Sequence, residues 1–126
     1  MKLAIIGGRT FVDYALMCKS IDTFCKDQKV TLVISGGAKG ADTLAEKWAL
    51  EHNIDTLILK PDWTIGKRAG LERNTDIVNE ATHLIAFVMP ESKGTWDSIK
   101  KAREKGIPTK VIEKNNNQRL LDSWFC

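Results

Sequence analysis

The chain has 126 residues, a formal charge of +3 and 43% apolar residues, which suits one domain with a continuous core and excludes disorder. Acidic and basic residues are interspersed, so bulk electrostatics gives only weak attraction to nucleic acid and no membrane anchoring. Three cysteines, Cys18, Cys25 and Cys126, lack Cys-x-x-Cys spacing and argue against a metal centre or a disulfide framework.

Residues 3–6 read as a buried strand, too short for a signal-peptide core, and no apolar run reaches the length of a membrane span. A cytoplasmic protein without membrane partner or cofactor is the expectation. Gly7-Gly8-Arg9-Thr10 follows the strand, and Arg9 offers a planar cationic fork suited to phosphate or carboxylate, or else a surface partner for an acid such as Asp13. Cys18 and Cys25, seven residues apart on the next helix, share a face and read as packing residues.

Residues 30–34 form the second apolar run, followed by Ser35-Gly36-Gly37-Ala38-Lys39-Gly40-Ala41-Asp42. Glycines between a buried strand and a helix let backbone approach an anion, which the unpaired N–H groups and the positive end of the helix dipole stabilise. Lys39 adds a mobile charge. The alternative is a tight strand-to-helix turn without ligand. Lys39 precedes Gly40-Ala41 instead of Ser or Thr, which excludes a Walker A loop, and Gly-Gly-x-x-Gly is not the dinucleotide fingerprint. Asp42 suits a ribose hydroxyl, or simply the dipole of its own helix. Ala41, Leu44, Ala45, Trp48 and Ala49 recur at helical spacing, which makes Trp48 a core residue; His52 ends this helix and has a structural role.

A third strand is predicted over 56–59, and Trp63 lies in the turn-rich Lys60-Pro61-Asp62-Trp63-Thr64, where it either stacks on a base or packs as a wall. Lys67, Arg68 and Arg73 add local positive charge. Leu71, Asn74, Val78 and Ala81 share one helical face, so Asn74 needs a hydrogen-bond partner from a loop or a ligand. The fourth strand is predicted over 84–89, preceded by a structural His83. Gly94-Thr95 then forms a small helix entrance with Thr95 as a candidate N-cap. Ile99 and Ala102 continue a face from Trp96, and Gly106-Ile107-Pro108 stops the helix before a fifth strand over 110–112. The alternation predicts a single α/β domain with a mainly parallel five-stranded sheet, its ligand site beyond the carboxyl ends of the strands. In the extension 113–126, Leu120, Leu121, Trp124 and Phe125 follow a polar stretch and need cover, either on their own domain or on another subunit, and a homo-oligomer is the expectation.

The ordered series Gly7-Gly8-Arg9, Ser35 to Asp42, Pro61-Asp62-Trp63, Lys67, Ala69-Gly70, Arg73-Asn74 and Gly94-Thr95 resembles the SLOG superfamily, most closely its YspA/YpsA-related branch. The resemblance spans about residues 3–112. It implies a Rossmann-like fold and a nucleotide or nucleotide-derived ligand, ADP-ribose-like compounds included, bound by a sensor or sequestering module. The superfamily also contains the LOG phosphoribohydrolases and the DNA-processing protein A group, which imply two alternatives: N-glycoside hydrolysis of nucleoside monophosphates, and single-stranded nucleic-acid binding. The LOG motif Pro-Gly-Gly-x-Gly-Thr-x-x-Glu is matched only at Gly94-Thr95; Ser98 stands where its glutamate would be and Asp97 is one position out of register. Binding without turnover is therefore expected, with Asp42 or Asp97 the carboxylates a hydrolase would use.

Overall fold

A computed structural model describes residues 1–90 and 92–113. Five parallel strands, β1 (Lys2–Gly7), β2 (Leu32–Ser35), β3 (Asp55–Ile58), β4 (His83–Val88) and β5 (Thr109–Glu113), form one sheet in the order β3-β2-β1-β4-β5. Helices α1 (Tyr14–Cys25), α2 (Ala41–Glu51), α3 (Ala69–Glu80) and α4 (Lys93–Lys105) fill the crossovers, with a short 3-10 turn at Trp63–Ile65 ahead of α3. This is the Rossmann-like α/β fold that the alternation of apolar runs predicts. Val30 and Thr31 lie ahead of β2, and Leu59 lies beyond β3 although its N–H still bonds the Ser35 carbonyl at 2.8 Å.

Strand alternation divides the core in two. Leu3, Ile5, Val33, Ile85 and Phe87 face α1 and α2, where Phe11 packs on Phe87 with ring centroids 4.8 Å apart. Ala4, Ile6, Ile34, Leu84, Ala86 and Val88 face the opposite way, towards α3 and α4. Each helix presents the stripe its sequence spacing dictates: Met17, Ile21 and Cys25 on α1, Ala45, Trp48 and Ala49 on α2. Cys18 is only half-buried. His52 accepts its structural role by stacking on Trp48 and placing Nδ1 2.8 Å from the Trp48 carbonyl.

Two helical faces differ from expectation. On α3 the buried set is Ala69, Asn74, Ile77 and Val78, while Leu71 is 51% exposed; on α4 it is Thr95, Ser98, Ile99 and Ala102, while Trp96 is 40% exposed. In both helices one large apolar residue at the first turn falls off the stripe because the covered arc is centred one position away. Helix ends follow local chemistry. The Asp13 carboxylate accepts from Leu16 N–H at 3.0 Å to cap α1, and Gly106, at φ 83°, closes α4 with its N–H on the Ala102 and Arg103 carbonyls.

Helices α3 and α4 are tied together by lysines. Lys105 Nζ donates to the carbonyls of Val78 and Asn79 at 2.9 and 3.0 Å, at the end of α3 where the dipole is negative. Lys105→Met should lower the urea midpoint by the equivalent of about 0.5–1 kcal/mol with an unchanged m-value. Glu104→Ala, at an exposed neighbour, should leave the midpoint where it is.

Candidate functional site

All strands are parallel, so their carboxyl ends share one rim; β1 and β2 lead outwards to β3 on one side, and the chain then crosses back through α3 to β4 on the other side of β1, which puts the switch in strand order beside β1. A cleft of about 370 Å³ opens there, beyond β1, between the loop after β2 and the start of α4. Its floor is Gly7 and Gly8, with Arg9 at the mouth.

One bank is the β2–α2 loop. Asp42, 6% exposed in the first turn of α2, accepts the Ala38 N–H on Oδ2 at 3.1 Å. Burial raises its pKa above the ordinary 3.8, against the pull of the Ala38 amide and of the Arg73 guanidinium. Arg73, on α3, donates from Nη1 to the Gly36 carbonyl at 2.9 Å and from Nε to the Asn74 Oδ1 at 3.1 Å. Burial lowers the Arg73 pKa, opposed by Asp42 and assisted by Arg9. Both members of this pair thus shift towards neutrality, because desolvation outweighs their attraction. Other groups of the loop are also taken up internally. Gly37 N–H donates to the Ser35 hydroxyl at 3.3 Å, and Ala41 N–H to the Gly8 carbonyl at 3.2 Å. The place an anion would take in this loop is already filled by the Asp42 carboxyl group.

The other bank is the entrance of α4. Its N-cap is Ser92, not Thr95, which sits inside the first turn; no side chain caps the helix and the first turn carries no acidic residue. Ser92 Oγ turns back to accept from Met89 N–H at 3.0 Å. Thr95 and Ser98, 8% and 2% exposed, line the cleft. Asn74 finds its partners here: Nδ2 donates to the Gly94 carbonyl and to Asp97 Oδ2, both at 3.2 Å. Asp97 also binds Lys101 Nζ at 2.8 Å, so its carboxylate braces α3 against α4.

The glycines divide by what fills the place of a side chain. A Cβ on Gly36 would meet Arg73 Nη1 at 2.3 Å, one on Gly8 would meet Ser92 Oγ at 2.5 Å, and one on Gly7 would meet the Phe87 carbonyl at 2.5 Å. Gly40 has φ 74° and its Cβ would lie 2.4 Å from the carbonyls of Gly8 and Arg9. These glycines serve contacts within the protein. Gly94 meets nothing within 4 Å and lines the cleft.

Among the residues singled out from sequence, Gly7, Gly8, Arg9, Gly36, Asp42, Arg73, Asn74, Gly94 and Thr95 line the cleft, Arg73 reaching across to the Gly36 carbonyl of the β2–α2 bank. Ser35, Gly37, Lys39 and Gly40 are not part of the lining; Ser35 is buried and Lys39 is exposed to solvent. Trp63 is 59% exposed with its ring edge 3.5 Å from the Cβ position of Gly70, and neither it nor the exposed Lys67 reaches the cleft. Sequence reasoning missed Ser92 and Lys93 and gave Ser98 only as a departure from a motif. Ser98 follows Thr95 by three residues and Gly94 by four, a helical spacing that marks a shared face. Among the described residues no cluster of three or more His, Cys, Asp or Glu is arranged to hold a metal, and no helix is long and apolar enough to cross a membrane.

Gly40→Ala should cost about 1–3 kcal/mol by urea denaturation, since alanine is strained at that φ and meets two carbonyls. Gly94→Ala should leave stability unchanged or raise it, by up to about 1 kcal/mol, because it adds helix propensity in open space. Asp42 supplies a pH test. With its pKa raised on folding, the native state binds more protons than the unfolded chain, so stability falls as pH rises from 3.8 towards the higher folded value. Over that interval the wild type should lose stability relative to Asp42→Asn, measured as urea midpoints across the pH series.

The sequence model of the YspA, cpYpsA-related SLOG family (YAcAr) matches residues 1–66. Gene 61 protein of Mycobacterium phage D29 is 30% identical over 115 residues, covering 85% of this chain and 92% of that protein. DNA processing protein A (DprA) from Streptococcus pneumoniae superposes with a TM-score of 0.52 at 16% identity over 96% of this chain; the chain spans 60% of that structure's length, and the likeness is one of fold. The family match takes in the β1 exit and the whole 35–42 loop, the relative extends the similarity over most of the chain, and the protein belongs to the YspA, cpYpsA-related SLOG family.

Proposed function

We propose that the cleft binds a nucleotide or nucleotide-derived ligand by its phosphate at the first turn of α4, and retains it without consuming it, as a sensor or sequestering module. The observation that carries this reading is the contrast between the two helix entrances. The start of α2 is filled by the Asp42 carboxyl group, whereas the first turn of α4 holds no acidic residue and no side-chain cap, with Gly94 open beside it. A phosphate there meets the positive end of the α4 dipole and the hydroxyls of Thr95 and Ser98. Arg9 and Arg73 face it from the opposite bank, and Lys93 adds a third cation. Asp42, across the cleft, is a hydrogen-bond acceptor for sugar hydroxyls.

Hydrolysis of an N-glycosidic bond is the second reading, favoured by one feature: Asp42 is a buried carboxyl at the cleft with its pKa raised, as a general acid requires. Asp97 is the weaker candidate, since Asn74 and Lys101 occupy it.

Native mass spectrometry of protein exposed to a metabolite extract should show a phosphate-bearing nucleotide derivative retained intact. Calorimetry should then give about tenfold weaker binding of that class for Arg9→Ala, with little change for the corresponding nucleoside. Gly94→Val, which fills open space at the phosphate position, should abolish binding in a folded protein. Release of free base or ribose phosphate would replace this reading by the hydrolase. Tight, steeply salt-dependent binding of oligonucleotides alone would replace it by a nucleic-acid module.

A further inference from the structure

The described lining of the cleft suits a phosphate and a sugar and offers nothing to a base. It contains no aromatic ring. The Asn74 amide, the group there best suited to a base edge, is already spent on Arg73, Gly94 and Asp97. At about 370 Å³ the cavity stands at the low end of the roughly 300–1,000 Å³ range of small-molecule sites.

Two contacts show what stands at the outer end of that cleft. Gly70 precedes Arg73 and Asn74 by three and four residues, so the three share one face of α3. Because α3 runs back from the rim, Gly70 lies one turn, about 5 Å, nearer solvent than the two lining residues. The Trp63 ring lies against Gly70, its Cη2 3.5 Å from the Cβ position there. On the β2–α2 bank, Gly37 adjoins the lining residue Gly36, and the exposed Lys60 runs along Gly37 with Cγ 3.0 Å from its Cβ position. Lys60 and Trp63 thus stand just beyond Gly36 and Arg73, which are themselves joined by a hydrogen bond of 2.9 Å. The turn that carries Trp63 is fixed by the Asp62 carboxylate, which accepts the Thr64 N–H at 3.1 Å.

We propose that, resting on the phosphate position given above, the base of the bound nucleotide leaves the cleft past Arg73 and stacks on Trp63, beside Lys60. The groups along α3 then follow the order of a nucleotide. Asn74 bonds the α4 entrance where the phosphate sits, Arg73 and Asp42 stand where the sugar passes, and Trp63 receives the base outside the lining. An indole left 59% in water forgoes much of the burial energy open to so large a ring, and a stacked base recovers it. Stacking uses the π-face that every base has, and the neighbouring Asp62 carboxylate is taken up by the amide and hydroxyl of Thr64, so this subsite tolerates purines and pyrimidines alike.

Calorimetry would compare ribose 5-phosphate with adenosine and cytidine 5′-monophosphates on the wild type, Trp63→Ala and Trp63→Phe. On the wild type both nucleotides should bind about tenfold more tightly than ribose 5-phosphate and within about threefold of each other. Trp63→Ala should bring both down to the affinity of ribose 5-phosphate, whose own binding stays unchanged and reports an intact cleft. Trp63→Phe, which keeps an aromatic face, should retain most of the difference. Nucleotide affinities unmoved by Trp63→Ala would overturn the base subsite and leave the phosphate reading standing. A parallel fall in all three ligands would give Trp63 a structural role and overturn the subsite as well, whereas failure of all three to bind the wild type would overturn both readings.

Discussion

At the exit of β1 backbone packs directly on backbone, and the cleft depends on that contact. The Gly8 carbonyl accepts from both Phe11 and Ala41 N–H, the Gly8 α-carbon lies against Ser92, and Gly40 comes up against the Gly8 and Arg9 carbonyls. No side chain fits at Gly7, Gly8 or Gly40 without displacing backbone or a packed side chain. Since β1 is the central strand, the loop after β2 and the helix entrance after β4 converge on it from either side, and two helix N-termini end up facing one small volume.

Electrostatics then separates those two termini. A helix start favours negative charge. At α2 the protein supplies it from within, through a carboxyl group braced by the Ala38 amide and Arg73; within the first turn of α4 it supplies none. Arg73 has a double role, fixing the Gly36 carbonyl with one nitrogen while its charge remains beside the cleft. Among the described residues of the lining the cations Arg9, Arg73 and Lys93 outnumber the one carboxylate, Asp42, which favours an anionic ligand although the whole chain is nearly neutral.

Mechanical support comes from the contact between α3 and α4. Asn74, Asp97 and Lys101 form one connected polar bridge, and Lys105 closes the far end on the last carbonyls of α3. These groups sit directly behind the α4 bank, so the helix start that faces the cleft is held on a rigid pair, not on a free loop.

The amino-acid sequence alone determined the five strands, the parallel α/β class and the family, because these depend on local periodicity and on glycines at strand exits, which are legible residue by residue. It also brought Arg9, Asp42, Arg73, Asn74 and Gly94 forward as chemistry-bearing residues. Their partners were not legible. A Gly-Gly-x-x-Gly loop reads the same whether its amides await a phosphate or close on Asp42, and Gly36 gives no sign that its missing side chain makes room for Arg73, thirty-seven residues away. Trp63 looked like a stacking wall because it sits in a rim loop, yet the crossover from β3 to α3 carries it outside the cleft. Ser92 and Ser98 looked ordinary because serine near a helix start is common; burial against an open cleft gives them meaning. Local pattern sets which elements form and where glycine is required, whereas the pairing of a donor with an acceptor across separate loops depends on the strand order that brings them together.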